Sequence, residues 1–320
     1  MRKLLQNKWT PWVLVAAAFA FPFVMGALEA NYLVRVGGVI GLFMLLGLGL
    51  NFTLGYAGLF DLGFIAFYAI GAYTTAIAMK AGVPGFFALF LAVVVSLGIR
   101  ALLGLTILRL RGDYLAVVTM GFGEIARLVI NNLDDLTNGP KGMQLSPWRP
   151  LSFLSSDPNV QYYLMIMAGV AVACLASQRL EDSRVGRAWV AIREDEIAAR
   201  LSGIPVREYK LLAFTLSAAF AGLAGGLFAQ WEQFVTPESF VFWESILVVS
   251  IVVLGGMGSI YGVLVGALVL VGFPPLMQWK LSADWINYRY LFFGLILVLV
   301  TLFRPQGLLP SSRREAELTS

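Results

Sequence analysis

Apolar runs near residues 12–28, 36–54, 63–79, 86–108, 114–131, 161–178, 211–230, 244–259, 260–278 and 290–303 follow one another along the chain with little between them. A helix needs about 20 apolar residues to cross the hydrocarbon of a bilayer, and several of these runs are that long. Others would cross only with tilt or as broken helices. A water-soluble domain could not present such a chain to solvent, because 59% of the residues are hydrophobic and 13% charged. The expected fold class is an all-α polytopic membrane protein of about ten transmembrane or partly spanning helices, with residues 1–320 as a single transmembrane domain.

The opening MRKLLQNK and the apolar residues after it have the outline of a secretory leader. Pro22 and Gly26 instead lead into Glu29-Ala30-Asn31 without a small-residue cleavage pattern, so this run is read as the first span. Orientation follows from Lys and Arg, which concentrate in cytoplasmic loops. With the N-terminus inside, the inner set holds Arg2, Lys3, Lys8, Arg109, Arg111, the seven basic residues from Arg179 to Lys210, and Arg304, Arg313 and Arg314. The outer set holds only Arg35, Lys80, Lys141, Arg149, Lys280 and Arg289. Both termini are therefore expected in the cytoplasm, and the net charge of +4 reports topology rather than a nucleic-acid ligand. The largest outer loop is 131–160, whose Asn, Gly, Pro and Ser content predicts turns and irregular structure. Loops beyond about 15 residues are uncommon unless they have a function.

The largest inner loop, 179–210, contains GRAWVAIREDEIAARLSG, residues 186–203. Ser183 marks a helix start, and Gly203-Ile204-Pro205 supplies a left-handed stop followed by a breaker. Glu196 and Arg200 stand four apart with the acid first, the favourable order. A short helix outside the bilayer is expected, with Arg193-Glu194-Asp195-Glu196 filling one of its turns. Ala188, Ala191, Ala198 and Ala199 permit close backbone approach, while Trp189, Ile192, Ile197 and Leu201 give it apolar surface suited to docking. The other reading is a helix on the membrane surface with one face in water.

Glu196-Ile197-Ala198-Ala199-Arg200-Leu201-Ser202-Gly203 resembles the EAA-type loop of ABC-importer permeases. Gly186-Arg187-Ala188 and Ala191-Ile192-Arg193 are similar to the matching segment of branched-chain amino acid permeases. GYAGLFDLGFIAFYAIGAY (55–73), LRLRGDYLAVVTMGFGEIARL (108–128), TPESF (236–240), IVVLGGMGS (251–259) and RPQGLLP (304–310) resemble, in order, blocks of the LivM-type permease subunits of that family. Asp61-Leu62-Gly63-Phe64 stands where many members of the wider family read Ser-Leu-Gly-His. The resemblance implies that 186–203 is a coupling helix seated in a cleft of a cytoplasmic ATPase, through Gly186, Arg187, Ala188, Ala191, Ile192, Arg193, Glu196, Ala198, Ala199 and Gly203. It also implies a second homologous permease, two ATPase subunits that use ATP and Mg, a periplasmic or lipid-anchored binding protein, and the bacterial inner membrane as the location. Leucine, isoleucine and valine are the substrates it implies, with urea or short amides as the alternative.

Gly55, Gly58, Gly63 and Gly71 interrupt two apolar runs, and Gly255-Gly256-Met257-Gly258-Ser259 a third. Such clusters either break helices beside a wet cavity or pack helices tightly. On the first reading a translocation path lies beside Gly55, Gly58, Asp61, Gly63, Gly255, Gly256 and Gly258. Asp61, Arg100, Glu124, Arg127 and Glu244 fall within apolar runs, where a charge costs about 2.5–3.5 kcal/mol near a helix centre. Glu124 and Arg127 can pair along one helix, Asp61 has no local partner and is expected to face another helix or the path, and Glu244 suits an outer interface. The chain has no His, and its single Cys174 allows no disulfide, so Ser-His and His-metal hydrolases are excluded. No G-x-x-x-x-G-K-[ST] loop is present, so ATP energy must come from another subunit and no cofactor is expected on this chain. An ion-coupled secondary transporter could use Asp61 and Glu124 as a relay, but it would need no docking helix.

Overall fold

The computed structural model describes residues 19–25, 31–108, 110, 112–149, 151–280, 289–304 and 306–309. Most of the first apolar run, the basic residues Arg2, Lys3, Lys8, Arg109, Arg111, Arg313 and Arg314, and the end of the RPQGLLP block lie outside them. Each later apolar run coincides with a helix. These are α1 (Asn31–Leu50, continued by a π-helical turn Asn51–Tyr56), α2 (Ile65–Lys80), α3 (Gly85–Ile107), α4 (Asp113–Asn132), α6 (Pro158–Glu181), α9 (Val206–Glu232), α10 (Phe242–Gly255), α11 (Ile260–Lys280) and α12 (Arg289–Phe303). Between them lie three short helices, α5 (Asp134–Thr137), α7 (Arg184–Glu194) and α8 (Glu196–Leu201). Among the described residues five helical segments are long and apolar enough to cross a membrane: Asn31–Tyr56, Gly85–Ile107, Pro158–Glu181, Val206–Glu232 and Pro237–Gly255. The 16 residues of α2 span only about 24 Å at 1.5 Å per residue, so α2 crosses in part, and the loop 57–64 before it reaches into the bundle.

Helix α9 is the centre of the bundle, packed against α1, α2, α3 and α6. Its run of Ala218, Ala221, Gly222, Ala224, Gly225 and Gly226 lets neighbouring backbones come close, which in a membrane replaces the hydrophobic drive between helices by dispersion contact. Gly225 is the tightest case: a Cβ there would run into the Tyr68 carbonyl of α2 and also stand 2.8 Å from the Ala72 nitrogen.

The loop 131–160 is more regular than its composition predicts. Thr137 Oγ1 donates to the Ile130 carbonyl at 2.6 Å and so folds α5 back onto α4. Met143–Gln144 (β1) then pairs antiparallel with Phe234–Val235 (β2), and Leu145 N donates to Gln233 O at 2.8 Å. Two loops that the sequence leaves separate, 131–160 and 231–243, are thereby joined at one end of the bundle. Arg35 and Glu232 close the same end with a two-pronged ion pair at 2.7 and 2.9 Å.

Candidate functional site

The segment 184–201 sits at the opposite end and is two helices rather than one. Ser183 caps α7 through its hydroxyl, which accepts from Val185 N at 3.1 Å and Gly186 N at 3.3 Å. Asp195 then leaves helical geometry (φ −151°, ψ 110°), and its carboxylate accepts from Ile197 N at 2.7 Å and Ala198 N at 3.0 Å. An acidic N-cap satisfies the free amides of a new helix better than continuation of the old one would, so Arg193 and Glu194 end α7 while Glu196 opens α8. The four consecutive charges straddle this break instead of filling one turn. The expected stop holds: Gly203 takes φ +82°, a left-handed conformation that suits glycine, and its amide donates to Arg200 O at 3.1 Å.

The two helices divide the sequence-identified residues into an inward set and an outward set. Gly186, Ala188, Ile192 and Ala199 are buried within the chain itself, as is Trp189, which is fully enclosed. The Trp189 indole stacks on Tyr56, meets Phe52 edge-on, and donates from Nε1 to Tyr209 O at 2.7 Å. Trp189 and Ile192 therefore hold the segment to its own bundle and are not docking surface. Glu196 is fixed from two sides, by Arg200 at 3.0 Å and by the buried Lys210 at 2.7 Å. The Arg200 pair was legible in the four-residue spacing; the Lys210 pair joins residues fourteen apart across a turn and has no local signal. Facing outward are Arg187, Ala198 and Gly203, together with Ile197 (63% exposed) and Leu201 (84% exposed). Ala191 and Arg193 are half-buried.

The glycine breaks meet at this same end. Gly258 N donates to the Asn51 side-chain oxygen at 2.9 Å, which ties the turn after α10 to the π-helical turn. A Cβ on Gly55 would stand 2.6 Å from Gly258 N, and one on Gly58 (φ +68°) 2.6 Å from Arg193 Cγ. Gly255 and Gly256 lie against backbone of Gly262 and Gly307, where Leu308 N and Leu309 N donate to Leu254 O and Gly255 O at 2.8 and 3.0 Å. Gly63 abuts the Thr119 carbonyl of α4. Close approach thus accounts for Gly55, Gly63 and Gly255, while Gly58, Gly256 (φ +120°) and Gly258 (φ +79°) take the positive φ that suits glycine. Arg193 reaches into this junction and donates from Nη1 to Gly55 O at 2.8 Å, a contact the sequence does not announce.

Asp61 lies in the loop 57–64 and is turned toward another helix, where it forms an ion pair with Arg100 of α3. Both are buried, and Asp61 also accepts from Gly63 N at 3.2 Å. The Arg100 guanidinium lies over the rings of Phe67 and Phe214, 4.4 and 4.0 Å from their centroids. Two charges that the sequence names separately, 39 residues apart, thus answer each other, which offsets part of the cost of burying either in an apolar interior. Irregular backbone is tolerated there because protein covers it. Glu124 and Arg127 pair along α4 at 2.9 Å, and Glu244 stands half-buried in the first turn of α10.

The family described as branched-chain amino acid transport system, permease component, matches residues 32–301. The chain is 42% identical, over 96% of its length and 76% of the relative's, to the high-affinity branched-chain amino acid transport system permease protein LivM of Salmonella typhimurium. It is 32% identical over 49% of its length, and 50% of the relative's, to the LivH permease protein of the same organism's high-affinity branched-chain amino acid transport system. Similarity at 26% identity, over 94% of the chain and 92% of the relative, extends to the fructose import permease protein FruG of Bifidobacterium longum. No solved structure matches.

Proposed function

The chain belongs to the branched-chain amino acid transport system permease family, as a permease subunit of an ABC importer, and we propose that α8 is the surface by which it couples to a cytoplasmic ATPase. The observation that carries this reading is the contrast within 184–203. One face is locked to the bundle by Trp189, Ile192, Ala199 and the Glu196–Lys210 pair, while Ile197, Ala198 and Leu201 stand exposed on the other. Two large apolar side chains on so short and so firmly braced a helix are what a protein cleft accepts.

On this reading the α7–α8 end is cytoplasmic, both termini lie inside, and the membrane is a bacterial inner membrane. A binding protein delivers substrate to the opposite end, where β1 and β2 tie loops 131–160 and 231–243 into one surface. Two ATPase subunits bind ATP and Mg, and their closure rocks this chain against a second, homologous permease to alternate access. The likeness to both LivM and LivH relatives supports a pair of related permeases. Leucine, isoleucine and valine are the substrates that the LivM likeness favours; the FruG likeness means that the shared architecture does not itself fix the cargo.

The test is uptake and substrate-stimulated ATP hydrolysis in reconstituted complexes carrying Ala198→Trp, with labelled leucine and urea as competing cargoes. Extra volume in a close-packed contact costs about 1–3 kcal/mol. Assembly should survive while ATP hydrolysis and leucine uptake fall out of step. Wild-type rates of both would reject the docking role, and urea uptake without leucine uptake would reject the substrate.

A further inference from the structure

We infer that Arg193 is the positioning residue through which movement of α7 and α8 reaches the two helix breaks, a role that rests on the coupling reading above. The resemblance alone would put this arginine at the ATPase; the geometry turns it the other way. Its Nη1 donates to Gly55 O at 2.8 Å, and its stem lies across Gly58, where any Cβ would stand 2.6 Å from Cγ. Gly55 O belongs to the last turn of the helical run Asn31–Tyr56. The last carbonyls of a helix run out of intrahelical amides and carry the negative end of its dipole; here Thr53 O takes the Leu59 amide at 2.8 Å and Gly55 O takes the guanidinium, a favoured donor at that end.

The junction extends past this bond. Gly258, in the turn between α10 and α11, has its amide on Asn51 Oδ1 at 2.9 Å, and a Cβ there would stand 3.4 Å from Gly55 O. One arginine at the end of α7 therefore bonds the end of the Asn31–Tyr56 run and lies beside the turn after α10, its Nη1 3.6 Å from where a Gly258 Cβ would stand. The segment Asn51–Tyr56 is π-helical, a local departure that recurs at functional sites. Among the described residues the Asn51 side-chain nitrogen is buried without a partner, which leaves its N–H groups for a rearranged junction to satisfy. A displacement of α7 must either carry the end of α1 with it or break the Arg193–Gly55 bond. Trp189 on Tyr56 and Phe52 holds the same two elements together by packing, so the arginine adds direction to a contact already made.

The experiment compares Arg193→Met, which keeps a stem over Gly58 and loses the donor, with Arg193→Lys, which keeps charge and one donor. Both are measured in the complete importer for complex yield, ATP hydrolysis stimulated by substrate-loaded binding protein, and uptake. A hydrogen bond from a charged donor corresponds to a change of roughly ten- to 150-fold. The expected result is normal yield and about wild-type hydrolysis with Arg193→Met, uptake per ATP reduced by at least about tenfold, and recovery of much of that loss with Arg193→Lys. Unchanged uptake per ATP with Arg193→Met overturns the inference. Loss of complex yield with both variants also overturns it, because the bond would then serve assembly alone. Should the wild-type complex itself show no ATP-dependent uptake, it is the coupling reading that fails and not the assignment within it.

Discussion

Replacing Asp61 by Leu would leave Arg100 as an uncompensated cation among apolar helices. Arg100 is 2% exposed and Asp61 0%, so no water can take the place of the lost carboxylate without opening the bundle. Among the described residues Arg100 Nε has no partner, and what remains to the guanidinium is its contact with the rings of Phe67 and Phe214. Breaking a buried pair from one side costs about 3–5 kcal/mol, a large share of the 5–15 kcal/mol by which a fold is stable. Removing both charges is a different perturbation: Asp61→Leu with Arg100→Leu leaves no stranded ion, and replacements of this kind range from neutral to stabilising by about 1–4 kcal/mol. The assay is the fraction of detergent-solubilised complex that survives a heating series, read by gel filtration, for both single variants, the double variant and Asp134→Leu. Asp134 lies exposed in the loop 131–160, and its replacement should stay within about 0.5 kcal/mol of wild type. Asp61→Leu should lose most of the complex, and the double variant should recover it. A double variant no more stable than Asp61→Leu would refute the argument, because the loss would then come from the loop 57–64 itself and not from a stranded charge.

Trp189→Ala should cost about 3–5 kcal/mol, since it empties a fully enclosed site, whereas Trp189→Phe loses chiefly the bond to Tyr209 O and should cost about 1–3 kcal/mol; equal losses in the same heating assay would refute the packing role. For topology, Cys174 is first replaced by Ser, and Arg184→Cys and Phe153→Cys are then labelled in whole cells with a reagent that cannot cross the membrane. Both positions are exposed, Phe153 by 82%. Only Phe153→Cys should react, and labelling of Arg184→Cys instead would invert the orientation.

The sequence by itself determined which segments are helices and that they belong in a bilayer. Apolar runs of spanning length leave the backbone no partner but itself, so α1, α3, α6 and α9 stand close to where the runs lie. It also determined local devices whose partners are close along the chain: the Ser183 start, the Gly203 stop, and the Glu196–Arg200 and Glu124–Arg127 pairs. The Asp195 cap was equally local, since an acid next to two more charges marks a helix start as readily as a helix interior, but the run of charges obscured it. Tertiary structure alone decided what faces what. Whether Trp189 was docking surface or anchor depended on Tyr56 and Phe52, more than a hundred residues earlier, and whether Asp61 faced a path or a partner depended on Arg100. Periodicity fixes which residues share a helix face, but the direction that face takes is set by packing against other helices. For that reason the same alanines of 186–203 could be inventoried from the sequence, while the division between Ala199 inside and Ala198 outside could not.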